Sequence, residues 1–171
     1  GYFYTGGPFP IAYTPFGEVV SGFVMGMLLV LISYFIQTGE VTTDAILLSV
    51  PSMFLVANIM LANNIRDIVQ DTKGGRKTMA ILIGRENAVR VYATLFALSY
   101  IWVIELVISQ HVTPWALIVL LTIPKPIKAV RTFKQSENPL EVMPAMKNTG
   151  VTNTLFATSL GLALLIQFAL S

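Results

Sequence analysis

Two carboxylates four residues apart, Asp67 and Asp71, stand in the run Asn63-Asn64-Ile65-Arg66-Asp67-Ile68-Val69-Gln70-Asp71-Thr72-Lys73-Gly74-Gly75-Arg76-Lys77-Thr78. On a helix this spacing stacks them on one face, with roughly 6 Å between Cβ atoms. Asn64 and Asn63 lie three and four residues before Asp67 and extend the polar stripe backwards. Such a carboxylate pair can hold a divalent cation. It suits Mg²⁺, which takes oxygen ligands, keeps several waters and binds through one or two carboxylates plus a substrate phosphate. Lys73, Arg76 and Lys77 could then grip the remaining phosphate oxygens. The competing reading is a plain solvated helix end. That reading leaves two acidic residues near a helix C-terminus, where they oppose the macrodipole. The basic residues and Gly74-Gly75 are less diagnostic, since they also fit an ordinary helix stop and a basic loop.

The elements that must position this cluster are apolar. The chain is 54% hydrophobic and 12% charged, with a mean hydropathy of +0.71. That is about half the charge of an ordinary soluble domain, too little polar surface to cover one in water. The composition specifies an all-α integral membrane protein, because only helices satisfy the backbone within one span. Five apolar segments are expected to cross, at about 19–36, 45–65, 88–108, 115–130 and 151–170. The fourth is short and interrupted by Pro124 and Pro126. The cluster follows the second segment directly, at the mouth of a span where charge is costly and marks function.

Loop charge orients the chain. Gln37–Asp44 and Ser109–Pro114 carry no Lys or Arg. Lys73, Arg76, Lys77 and Arg85 fall in the loop after the second segment, and Lys125, Lys128, Arg131, Lys134 and Lys147 follow the third loop. With five spans both basic regions share one side, which the positive-inside rule places in the cytoplasm, at a cell membrane. The Gly/Pro/aromatic stretch 1–18 joins them there and reads as an interfacial loop. Its Tyr2, Tyr4 and Tyr13 either line an aromatic-substrate pocket or anchor the interface. Gly22 and Gly26 form a small-xxx-small pattern suited to close helix contact.

Other chemistry is thinner. Net charge is +2, which does not suggest nucleic acid as a partner, and the absence of cysteine excludes disulfides and thiol catalysis. No cleavable signal peptide is visible, and a start at Gly1 suggests a piece of a longer protein. Glu105 lies inside the third segment near its far end, either functional or snorkelling to the interface. His111, the sole histidine, sits in an outer loop and reads as unremarkable surface. Lys147 and Asn148 open the last segment on the basic side and either face the same cavity or add positive-inside charge.

At the Asp cluster the sequence resembles a known family. Asn-Asn-x-Arg-Asp67-x-x-x-Asp71-x-x-x-Gly75-Arg-Lys-Thr78-x-Ala80-x-x-x-Gly84 is similar to the second Asp-rich motif of the membrane aromatic prenyltransferases of ubiquinone and menaquinone biosynthesis. Tyr4-Thr5-Gly6-Gly7-Pro8-x-Pro10-x-x-Tyr13-x-Pro15-x-Gly17-Glu18 and Pro144-Ala-Met-Lys147-Asn148-Thr149 resemble the branch that acts on 1,4-dihydroxy-2-naphthoate. No Lys or Arg precedes Arg66, a departure from many relatives that fits this branch.

The resemblance implies a nine-helix bundle of which this chain supplies helices five to nine. The first Asp-rich motif and the N-terminal helices of the same enzyme would lie elsewhere. It implies Mg²⁺ on Asp67 and Asp71, with Asn64, Arg66, Lys73, Arg76 and Lys77 on the diphosphate. Asn63, Tyr4, Tyr13, Lys147 and Asn148 would line the substrate pocket. The implied reaction transfers a polyprenyl group from its diphosphate to 1,4-dihydroxy-2-naphthoate with loss of CO₂, giving demethylmenaquinone. Membrane lipid is the implied surrounding partner. A different aromatic acceptor, a cation-coupled transporter subunit and a purely structural membrane subunit are the alternatives. Transporters place carboxylates near mid-membrane at broken helices, unlike this helix-end cluster, and a structural subunit leaves the Asp pair unexplained.

Overall fold

The fold is seen in a computed structural model that describes residues 6–8 and 10–170. Tyr2 and Tyr4 lie outside the described residues. A 3₁₀ turn at Ile11–Tyr13 leads into helix α1 (Gly17–Thr38), followed by α2 (Thr43–Arg66) and two short helices, α3 (Ile68–Lys73) and α4 (Met79–Ile83). Then come α5 (Arg85–Ile108), a 3₁₀ helix (Pro114–Thr122), α6 (Pro124–Gln135) and α7 (Met143–Leu170). Among the described residues there is no strand. Four helices, α1, α2, α5 and α7, are long and apolar enough to cross a membrane. Outward-facing apolar side chains such as Met25, Ile36, Ile108 and Leu121 are exposed, as expected where lipid rather than water is the solvent.

The segment expected as a fourth span, 115–130, is not one α-helix. It divides at Ile123 into the 3₁₀ helix and α6. Pro124 explains the division. It has no N–H to continue the preceding helix, and its fixed φ suits the first position of a new one. Neither piece alone has the ~20 residues of a full span.

Helix α2 is the centre of the packing, with α1, α5 and α7 against it. It starts where Thr42 Oγ1 accepts from the Ala45 N–H at 3.2 Å. Pro51 inside it cannot donate to the carbonyl of Leu47. The indole N–H of Trp102, on α5, donates to that freed oxygen at 2.9 Å. The Gly22–Gly26 pattern does bring helices into close contact. A Cβ on Gly26 would stand 2.6 Å from the Ser52 carbonyl oxygen, and one on Gly22 2.5 Å from that of Met53. α1 winds as a π-helix over this same contact, Gly22–Leu28.

Two ring contacts and a hydrogen bond close the core. Tyr92 meets Phe96 and Phe133 edge-on, and the Asn58 side-chain amide donates to the Tyr92 carbonyl at 3.1 Å. Long-range contacts also fix which helix ends lie together. The Arg85 guanidinium donates to the carbonyls of Ile65 (3.2 Å), Phe133 (2.9 Å) and Ser136. It thereby ties the start of α5 to the C-terminal ends of α2 and α6. The sequence reading counted Arg85 only as loop charge. On the opposite face His111 Nδ1 pairs with Asp44 at 2.8 Å, joining the loop after α5 to the start of α2. The basic residues therefore gather at the same end of the bundle as Asp67 and Asp71.

Candidate functional site

α2 ends at Arg66 because the chain leaves helical geometry at Asp67, which has φ −98° and ψ 9°. The break is slight. The Asp71 N–H still donates to the Asp67 carbonyl at 2.8 Å, so the four-residue stacking survives between two helices rather than within one. The chain then turns back at Gly75, whose φ of +73° lies in the left-handed region that glycine adopts without strain. The returning strand of the loop is pinned to the N-terminal arm. The Lys77 N–H donates to the Tyr13 carbonyl at 2.8 Å, and the Arg76 guanidinium lies 4.4 Å from the centre of the Tyr13 ring.

Each aspartate is paired with an arginine. Arg66 grips Asp67 in a two-pronged contact, Nε to Oδ1 at 2.7 Å and Nη2 to Oδ2 at 2.6 Å. Arg76 Nη1 lies 3.1 Å from Asp71 Oδ1. Asp67 is about one-third exposed, whereas the Asp71 side chain is only 8% exposed. Asp71 Oδ2 is buried and, among the described residues, has no hydrogen-bond partner. Burial pushes the Asp71 carboxyl above the ordinary carboxylate range; Arg76 pulls it back, the charge on Asp67 pushes it further up, and Arg66 opposes that last effect.

These residues border one polar cleft of ≈ 960 Å³, lined among others by Tyr13, Arg66, Asp67, Asp71, Lys73 and Arg76. Six of the residues singled out from the sequence thus converge. Val69, Gln70, Gly74 and Pro139 complete the lining, and the sequence reading did not select them. The Asp pair with its unpartnered buried oxygen fits part of a coordination sphere for a hard divalent cation. Among the described residues no group of three or more His, Cys, Asp or Glu could hold a metal, so the pair alone is not a complete protein cage.

Other expected site residues stand apart. The Asn64 amide donates to Glu18 Oε1 at 2.8 Å, away from the cleft lining. Asn63 donates to the Ile59 carbonyl of its own helix at 3.2 Å. Lys77 reaches the arm through its backbone, and its side chain is exposed. Lys147 is exposed on α7, and Asn148 donates to the Pro144 carbonyl at 2.9 Å. Neither lines the cleft, although α7 reaches its edge, where Arg66 Nη1 lies 4.0 Å from Met143 Sδ. Glu105 is exposed on α5. Glu18, which accepts from Asn64, does not line the cleft either. It is 1% exposed, and among the described residues its Oε2 has no hydrogen-bond partner.

The bundle of membrane-length helices carries its Asp–Arg cleft at one mouth. The profile of the UbiA prenyltransferase family matches residues 1–160, and the chain belongs to that family. It is 54% identical over 168 residues to the 1,4-dihydroxy-2-naphthoate octaprenyltransferase of Bacillus subtilis (strain 168), covering 98% of this chain and 54% of that protein. The protein of the same description from Mycobacterium leprae is 27% identical over 161 residues, 94% of this chain and 54% of the relative. The UbiA prenyltransferase domain-containing protein 1 of Homo sapiens is 31% identical over 148 residues, 86% of this chain and 43% of the relative. The chain spans about half the length of the curated relatives it matches.

Proposed function

We propose that this chain carries the diphosphate-binding half of a membrane prenyltransferase that joins a polyprenyl group to 1,4-dihydroxy-2-naphthoate. The observation that carries the reading is Asp71, a buried carboxylate with a free oxygen, beside Asp67 and the arginines of the cleft. The names of the relatives support the acceptor, and a further Asp-rich motif outside these 171 residues would complete the site. The cleft would face the cytoplasm, since the basic residues gather at its end of the bundle.

Asp67 and Asp71 would hold Mg²⁺, which supplies charge neutralisation to a departing diphosphate. Lys73, Arg66 and Arg76 would bind phosphate oxygens, Arg66 and Arg76 with a planar fork suited to two oxygens at once. Their placement lowers the energy of the charge that develops as the allylic C–O bond breaks and diphosphate leaves with the electron pair. The allylic carbon then bonds to the ring carbon bearing the carboxylate, and that group leaves as CO₂. The electron pair it releases restores the aromatic ring, so the product is the quinol form of demethylmenaquinone and no further oxidant is required for transfer.

The test is a membrane assay of the complete enzyme with 1,4-dihydroxy-2-naphthoate and a polyprenyl diphosphate, in Mg²⁺ or in EDTA. Prenylated product and CO₂ that depend on Mg²⁺ are expected. Diphosphate release only with another aromatic would overturn the acceptor, and no diphosphate chemistry with any acceptor would overturn the reaction.

A further inference from the structure

A second cavity lies away from the Asp cleft. It is an apolar groove of ≈ 540 Å³ between α5 and the Ile123–α6 joint, and shares no lining residue with the cleft. Ala93, Ala97 and Ile101 form one wall and Ile123, Ile127 and Val130 the other. The two alanines leave the room, and Ile101 and Ile127 are each more than half exposed, which water would penalise and lipid would not. From Ala93 to Ile101 the wall runs about 12 Å along α5.

Charge marks one end of this groove. Arg131 and Lys134, one turn apart on α6, are the charged residues of its lining. Both are exposed, and among the described residues neither forms an ion pair. Arg85 and Arg90 on α5 are paired, with Glu137 and Glu86, whereas Lys125 and Lys128 on α6 form no ion pair among the described residues either but do not line the groove. The charged end is also the interfacial end, because Arg85 holds the last turn of α6 against the start of α5. Two unpaired cations at the interface above an apolar slot match a molecule with a phosphate head and a hydrocarbon tail.

We propose that the groove binds an anionic glycerophospholipid, with its headgroup phosphate on Arg131 and Lys134 and one acyl chain between α5 and α6. The phosphate contacts are charge-assisted, and the acyl chain covers Ala97, Ile101 and Ile127. Zwitterionic lipid fits the slot but carries no net charge for the two cations. The site is independent of the diphosphate reading, since it uses no residue of the cleft.

The experiment is native mass spectrometry of the full-length enzyme released from nanodiscs of equal phosphatidylglycerol and phosphatidylcholine. Wild type should retain phosphatidylglycerol preferentially. R131Q/K134Q should lower that retention roughly 25-fold, since each interfacial cation contributes about fivefold. Ala97→Trp should lower it by filling the slot with both cations in place. Lys128→Gln, which alters a basic residue of α6 outside the groove, should leave it unchanged. Equal retention in wild type and R131Q/K134Q, equal loss in Lys128→Gln, or no retained phospholipid in wild type would each overturn the site. Displacement of the bound lipid by added polyprenyl diphosphate would reassign the groove to the isoprenoid.

Discussion

Replacing Arg85 by Lys keeps the charge and removes the fork. In the structure one guanidinium serves the carbonyls of Ile65, Phe133 and Ser136 and lies 3.7 Å from Glu137. Those carbonyls belong to helix ends or the residues just past them, where no intrahelical N–H reaches. An ammonium on a flexible stem can hold one of them well but not all three in their separated directions. Two bonds are then lost, at about 1.5 kcal/mol each for hydrogen bonds to a charged donor. The expected cost is about 3 kcal/mol, roughly 150-fold in the folding equilibrium. The side chain is only 18% exposed, so water restores little of this. An SDS-unfolding titration of the full-length protein, followed by tryptophan fluorescence, measures it against wild type. Arg85→Met serves as the reference for losing the whole contact. If Arg85→Lys unfolds within about 0.5 kcal/mol of wild type, the three-carbonyl tie is not what holds the ends of α2 and α6 together.

Four further outcomes are expected. Asp67→Asn and Asp71→Asn in the complete enzyme should each lower kcat by at least about 100-fold while circular dichroism and elution volume stay unchanged; turnover near wild type in either would remove that residue from the site. Because burial raises the Asp71 carboxyl above its ordinary value, Mg²⁺ binding followed by calorimetry should begin to weaken, as pH falls, above the ordinary aspartate range. The linkage sign is fixed by the same shift: Asp71 favours the folded state below its unfolded pKa, and that contribution is lost as pH rises through the raised folded value, a slope Asp71→Asn should abolish. Gly26→Leu should destabilise by about 1–3 kcal/mol or more, since its Cβ alone would stand 2.6 Å from the Ser52 carbonyl oxygen and 2.7 Å from Met53 Cα; an unchanged melting temperature in fluorescence-detected size-exclusion chromatography would contradict the contact.

What the sequence revealed followed from contrast with its surroundings. Asp67 and Asp71 were legible because charge beside an apolar run is expensive, and Pro124 was legible as an interruption because it lacks an N–H. What it did not show depends on partners distant in the chain. Asn64 belongs by spacing to the polar stripe, yet its amide is held by Glu18, 46 residues away. Arg85 reads as loop charge until Phe133 and Ser136, 48 and 51 residues on, arrive beside it. Tyr13 was selected for its ring, but neither its stacking on Arg76 nor its carbonyl bond to Lys77 follows from any local pattern. Helical periodicity likewise favoured an unbroken stripe from Asn63 to Asp71 and gave no sign of the small departure at Asp67.

The pairing of each aspartate with its own arginine has a consequence for how a charged ligand enters at a membrane mouth. A metal diphosphate is itself a set of opposite charges. On its arrival the cation would take the carboxylates while the phosphate oxygens take the arginines, so every ion exchanges a partner and none is stranded. The folded cleft has already withdrawn four charges partly from water, and the exchange adds little to that desolvation. The ion pairs of the cleft would thus behave as an internal salt in double decomposition, so that anion binding at the membrane mouth would strand none of their four charges.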